Sequence, residues 1–237
     1  MVELIAGLRA QVIRANLVRV REDIAQALAR SALGRSQDTV ELLAATKYVA
    51  VDDLPTLADA GVRLVGENRA QDLQEKVAAH GALFEWDFIG QLQSRRVRLI
   101  APHVRLIHSV ASESALRALE HHRALARADL RILIEVNVAG EAGKAGIVPD
   151  ELDAFIARAP VPVAGLMTMP PLSADPRDSR RWFAALRALA RERGLEHLSM
   201  GTSQDYVVAV EEGATIVRIG TNLYHPVHER PAAGAGY

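Results

Sequence analysis

The sequence predicts an α/β fold, a single (β/α)8 TIM-type barrel with an extra helix at its N-terminus. Three observations carry that expectation. From about residue 40 onward, short apolar runs alternate with helical patterns, which implies parallel strands joined by crossover helices. Eight such runs fit within 237 residues, the size of one closed eight-stranded barrel. The turn after the first run lacks the glycine-rich sequence that a doubly wound, dinucleotide-binding sheet would carry there.

The elements follow in order. Residues 2–32 read as an amphipathic helix, with Leu4, Leu8, Val12, Ala15, Val18 and Leu28 at helical spacing, arginines on the other face and Gly34 as the C-cap. Strands are expected at 40–45, 63–65, 86–89, 105–109, 130–138, 163–168, 197–200 and 215–219. Helices are expected between them at 52–60, 70–79, 94–100, 112–126, 149–159, 177–193 and 204–212, with Asp52 and Ser112 as N-caps. Residues 170–178 read as a mobile loop and 228–237 as a loose tail. No repeat or linker divides the chain, so 1–237 is expected to be one domain, with 1–34 a helical extension.

Composition excludes several functions. A net charge of −1 argues against a general nucleic-acid binder, and the absence of cysteine removes disulfides, thiolate metal sites and cysteine nucleophiles. No apolar run is long enough to cross a membrane and no signal-peptide pattern opens the chain, so a cytoplasmic protein is expected. Gly143-Lys144 resembles part of a phosphate-binding loop, but Val138 and Ala145 break the motif. The histidines form no metal-binding motif, and Arg95, Arg96 and Arg98 read as a solvated helix face. Three of the 28 basic residues are lysines and the other 25 are arginines. A lysine retained against that bias draws attention, because an ammonium deprotonates for chemistry far more readily than a guanidinium.

In such barrels the chemistry gathers at the C-terminal ends of the strands. Lys47 closes the first strand there, after the apolar Leu42-Leu43-Ala44-Ala45. Burial would favour its neutral, nucleophilic amine, though a strand end also suits a solvated one. Lys76, within Gln74-Glu75-Lys76, reads as solvated on a polar helix. Lys144 could neutralise an anion or sit in a flexible loop. Gly201-Thr202-Ser203 and Gly220-Thr221, after strands seven and eight, combine hydroxyls with exposed amides as a phosphate cradle would; ordinary turns with Ser203 as a cap fit equally. Arg218 either pairs with a carboxylate such as Asp205 or touches a ligand, and Asn68 and Asn137 either orient one or cap loops. An amine and a phosphate cradle on one rim suit pyridoxal 5′-phosphate; a sugar-phosphate aldehyde or ketone is the competing ligand class.

The motifs resemble the pyridoxal phosphate homeostasis proteins (the YggS/PROSC family), relatives of the N-terminal barrel domain of alanine racemase. The matching pieces are Ala45-Thr46-Lys47, Gly66-Glu67-Asn68, Phe88-Ile89-Gly90 with Leu92-Gln93-Ser94, Asn137 with Lys144-Ala145-Gly146, and Gly165-Leu166-Met167. Leu198-Ser199-Met200-Gly201 with Ser203 and Asp205, and Val217-Arg218-Ile219-Gly220-Thr221, complete them. The resemblance implies a type III pyridoxal-phosphate fold with the cofactor on this rim. By the same resemblance Lys47 carries it as an aldimine, Ser203, Gly220 and Thr221 bind phosphate, Arg218 faces the pyridine nitrogen, and Asn68 and Met167 line the ring. Asp87 departs from the histidine common before Phe-Ile-Gly, Arg95-Arg96 from Asn-Lys, Thr202 from methionine, and Asn222-Leu223-Tyr224 from Ala-Ile-Phe.

The expected function is therefore to hold pyridoxal phosphate and to buffer or deliver it in vitamin B6 homeostasis, without catalysis. An arginine at the pyridine nitrogen weakens the ring as an electron sink, and only 17 residues follow Gly220, too few for the second domain that gives alanine racemase its opposing acid/base. A small amino-acid racemase or lyase is the alternative. Apo-enzymes that receive the cofactor are the expected partners, with neither nucleic acid nor membrane, and the chain is expected to be a monomer.

Overall fold

The computed structural model describes residue 5 and residues 7–226. The expected tail at 228–237, and residues 2–4 and 6 of the expected N-terminal helix, lie outside them. The eight strands are β1 (Glu41–Ala45), β2 (Leu64–Glu67), β3 (Glu85–Phe88), β4 (Leu106–Val110), β5 (Arg131–Glu135), β6 (Val163–Met167), β7 (His197–Thr202) and β8 (Ile216–Ile219). They pair in chain order, all parallel, and β8 pairs with β1 to close the barrel.

Strands buried on both faces explain the continuous apolar runs. Leu43, Leu106, Leu133, Met167 and Ile216 pack against one another inside the barrel. Ala44, Val65, Trp86, Ile107, Ile132, Leu166 and Val217 belong instead to the larger cluster shared with the helices. Each fully buried leucine, isoleucine or valine contributes about 1.5–3 kcal/mol. At Gly165 a Cβ would lie 1.9 Å from the His197 carbonyl oxygen, so only glycine lets β6 and β7 pair at that point.

The helices are α1 (Ala10–Arg30), α2 (Leu54–Asp59), α3 (Ala70–His80), α4 (Val97–Ile100), α5 (Glu113–His121), α6 (Leu152–Ile156), α7 (Arg180–Glu192), α8 (Tyr206–Glu211) and α9 (Thr221–Tyr224). Short 3-10 turns precede α2, α4, α6 and α7, which is why the expected helices begin earlier. The last of these, Pro176–Ser179, takes up the end of the expected 170–178 loop. Ser112 caps α5 as expected, its Oγ accepting from the Ala115 amide at 3.2 Å.

α1 packs across α8 and α9 through Ile13, Leu17, Val20, Ile24, Ala27 and Leu28. Val18, expected on that stripe, is instead 51% exposed; the buried line runs one residue away, through Leu17. Asn16 lies within the stripe and donates from Nδ2 to the carbonyls of Leu223 and His225 at 2.9 and 3.0 Å. Among the described residues α9, a single turn too short to leave a periodic signal, is the one α-helix without a sequence-based expectation.

Candidate functional site

Parallel pairing brings all eight C-terminal strand ends to one rim. β1 stops at Ala45, so Lys47 stands two residues beyond it rather than closing it. Lys47 is half-buried, with Nζ 4.4 Å from the centroid of the Tyr48 ring. Pairing of Ala45 with Gly66 brings the end of β2, and with it Asn68, beside this turn. Asn68 Oδ1 is buried and has no hydrogen-bond partner among the described residues, an acceptor in want of a donor.

On the other side of β1 lies the end of β8. A Cβ at Gly220 would sit 3.8 Å from the Ala45 Cβ, and Tyr224 donates its hydroxyl to the Ala45 carbonyl at 2.9 Å. Ser203 Oγ accepts from the Gly220 amide at 3.1 Å, and Asn222 Nδ2 donates to the Ser203 carbonyl at 2.7 Å. With its oxygen so engaged, the Ser203 hydroxyl keeps its own proton to donate elsewhere. α9 starts at Thr221, and amides of a first helical turn lack carbonyl partners within the helix. Gly201, at φ +90°, lets the chain turn from β7 toward Ser203; a Cβ there would meet the Ala209 Cβ at 2.5 Å.

Arg218 is 6% exposed. It donates to the carbonyls of Ser199 (2.8 Å) and Thr168 (3.1 Å), to Ser199 Oγ and to Met169 Sδ (2.9 Å). Asp205 is not its partner; that carboxylate accepts from the Thr202 amide and hydroxyl at 2.8 and 3.1 Å. Met167 is buried in the apolar floor of the barrel. Between Lys144, Pro170, Ser173, Thr202 and Arg218 a cavity of about 220 Å³ opens. Lys144 itself pairs with Glu141 at 2.5 Å, and Asn137 closes the same loop through Glu141 backbone atoms at 2.9 and 3.2 Å.

Two features of the rim escaped the sequence reading. Glu135 ends β5, and burial pushes its carboxyl above the usual range while Arg218 and Lys144 pull it down. Its only sequence signal was its strand-end position. The second is a correction: Lys76 is not solvated but 3% exposed. Its Nζ lies 2.6 Å from Glu67 Oε1 and 2.7 Å from the Thr46 carbonyl, directly before Lys47. Glu67 also accepts from Thr46 Oγ1 (2.7 Å) and from the Asn68 amide (3.1 Å). One buried ion pair thus braces the backbone on both sides of the Lys47–Asn68 junction.

The chain matches the family model described as alanine racemase, N-terminal domain, over residues 16–226. The pyridoxal phosphate homeostasis protein of Aquifex aeolicus is 40% identical, the match covering 88% of this chain and 95% of that one. The chain belongs to the pyridoxal phosphate homeostasis family. A second member, from Escherichia coli, is 34% identical over 88% of this chain and 94% of its own length. Among solved structures, PipY of Synechococcus elongatus, with PLP bound, is 32% identical with a TM-score of 0.70, covering 85% of this chain and 100% of that one. Alanine racemase of Corynebacterium glutamicum, 18% identical with a TM-score of 0.65 over 100% of this chain and 66% of that one, shares the barrel fold. No helix among the described residues is long and apolar enough to cross a membrane.

The histidines give the family fold here a dependence on pH. Burial lowers the pKa of His103, His108 and His197 from the ordinary 6.5, and around His108 the raising effect of Asp87 is opposed by Arg218 and Arg105. Each is then neutral in the fold where the unfolded chain takes up a proton. Stability is therefore full above about pH 6.5 and falls as pH drops toward the folded pKa values, by up to about 1.4 kcal/mol per pH unit for fully buried His108. A lower urea midpoint at about pH 5.5 than at about pH 7.5 is expected. An unchanged midpoint would contradict neutral burial.

Proposed function

We propose that this chain binds pyridoxal 5′-phosphate on the barrel rim, keeps it through a covalent bond to Lys47, and buffers or delivers it to apo-enzymes in the cytoplasm. The juxtaposition of Lys47, the orphaned Asn68 oxygen and the Ser203–Gly220 pair on adjoining strand ends carries the reading. When bound, the cofactor would supply an aldehyde reactive toward a primary amine, and a phosphate group as its anchor. Lys47 is the amine. The Ser203 hydroxyl and the Thr221 amide are the anchor's donors, Gly220 shapes the turn between them with its own amide held by Ser203, and Met167 is part of the apolar floor beneath. That donor set fits the cofactor, and a ligand donor would satisfy Asn68.

Arg218 supports the non-catalytic reading. Its guanidinium only donates and stays charged. Facing a ring nitrogen, it supports the unprotonated form, which withdraws electrons poorly. A reservoir needs retention and release, not carbanion stabilisation. We take residues 1–237 as one domain acting as a monomer, as in the sequence-based expectation.

Titrating the purified chain with pyridoxal phosphate should produce a visible absorption band that saturates near one equivalent. No band at saturating cofactor overturns the proposal. Turnover of an L-amino acid well above that of free cofactor would replace the carrier reading with a racemase or lyase.

A further inference from the structure

The barrel interior is mostly apolar, yet one polar chain runs through it that neither the imine nor the phosphate anchor requires. It starts at Glu41 on β1, which accepts from Arg105 at 2.9 and 2.6 Å. Arg105, just before β4, donates from Nε to Asp87 Oδ1 at 2.9 Å. Asp87 Oδ2 lies 3.1 Å from His108 Nε2, and His108 Nδ1 lies 2.8 Å from Ser199 Oγ. Ser199 Oγ in turn meets Arg218. Asp87, His108 and Ser199 are fully buried, so water cannot supply missing partners.

The proton positions in this chain follow from donor and acceptor counts. An ionised carboxylate only accepts, so the proton facing Asp87 sits on His108 Nε2. A buried imidazole between Arg105 and Arg218 is neutral, which leaves Nδ1 as an acceptor. Ser199 has one hydroxyl proton, and Nδ1 takes it. The lone pairs of Ser199 Oγ are then left for Arg218, which can only donate. Every hydrogen bond points the same way, from Arg218 toward Asp87; reversing the His108 bonds takes the Nδ1 acceptor away from the Ser199 hydroxyl proton, and Arg218 cannot replace it.

We propose that Asp87 is a positioning residue for the cofactor site: by fixing the His108 tautomer it orients the Ser199 hydroxyl, and so holds the Arg218 guanidinium in place. The proposal rests on the reading above in which Arg218 faces the cofactor ring. An asparagine at 87 can satisfy Arg105 with its oxygen only by turning its amide NH2 toward His108. The imidazole proton then moves to Nδ1, and Ser199 loses the acceptor that kept its hydroxyl proton away from Arg218.

The experiment has two arms. Nitrogen-15 NMR of His108 in the cofactor-free protein should show the Nε2–H tautomer in the wild type and the Nδ1–H tautomer in Asp87→Asn. A wild type protonated on Nδ1, or on both nitrogens, overturns the proposal without recourse to a variant. In the second arm, Asp87→Asn and Ser199→Ala should each weaken pyridoxal phosphate affinity about tenfold, with the double variant no weaker than Ser199→Ala alone. Additive losses, or no loss in Asp87→Asn, overturn the relay. A wild type that binds no cofactor overturns the functional reading instead, and the tautomer arm still reports on the chain by itself.

Discussion

Lys76→Met is expected to lower stability by about 3–5 kcal/mol, although Lys76 is outside the proposed ligand contacts. Its partner Glu67 is fully buried, and removing the ammonium leaves a carboxylate that, among the described residues, has only the Thr46 hydroxyl and the Asn68 amide to solvate it. A surface pair would yield about 0–1 kcal/mol, so the size of the loss discriminates. Glu67→Gln added to Lys76→Met removes the stranded charge and should recover more than half of it, because an uncompensated buried ion is what costs most. Urea denaturation of the two variants measures both effects. A loss below about 1 kcal/mol in Lys76→Met would show that the pair is solvated after all. The variant should also weaken cofactor binding, since Lys76 holds the Thr46 carbonyl immediately before Lys47.

That pair shows where reading a sequence by neighbours fails. Gln74, Glu75 and Lys76 are adjacent and polar, which favours a solvated face. On a helix, however, Lys76 belongs with Leu73 and Ala70, three and six residues back, and those three are the buried residues of α3. The helical stripe held the signal. The identity of the partner did not, because Glu67 comes from a separate strand.

The barrel was legible because its strands are short, apolar on both faces and regularly spaced, so that their order alone fixes parallel neighbours and their ends fix a rim. Lys47, Asn68, Ser203, Gly220 and Thr221 could be picked out from strand ends for this reason, and β1, β2, β7 and β8 are indeed contiguous in the closed sheet. The roles given to those residues came from the family resemblance and remain a proposal. The interior chain from Glu41 to Arg218 was not legible. Asp87 alternates with Trp86 and Phe88, so a period-two reading turns it away from them. Nothing in the order of residues, though, says that strands three, four, seven and eight meet through Asp87, His108, Ser199 and Arg218. Long-range polar pairing depends on register, and register was not available before the fold.

The largest functional effect is expected at Lys47, where alanine and arginine separate two contributions. Lys47→Ala removes both the amine and the cation beside Tyr48, and the visible band should vanish at any cofactor concentration. Lys47→Arg keeps a cation that can also stack on Tyr48, but a guanidinium stays protonated at neutral pH and forms no imine with an aldehyde. It should therefore lose the band as completely as alanine does while retaining more affinity for the phosphate group. Equilibrium dialysis measures that affinity independently of colour. If both variants still bind, Ser203 and the Gly220–Thr221 turn act as an anchor in their own right, and Lys47 sets how long the cofactor stays. If Lys47→Arg kept the band, the covalent partner would have to be another amine, and Lys144, beside the cavity next to Arg218, would be the residue to replace. Either result follows from the scarcity of lysine: with 25 arginines and three lysines in the chain, few amines can answer for the colour.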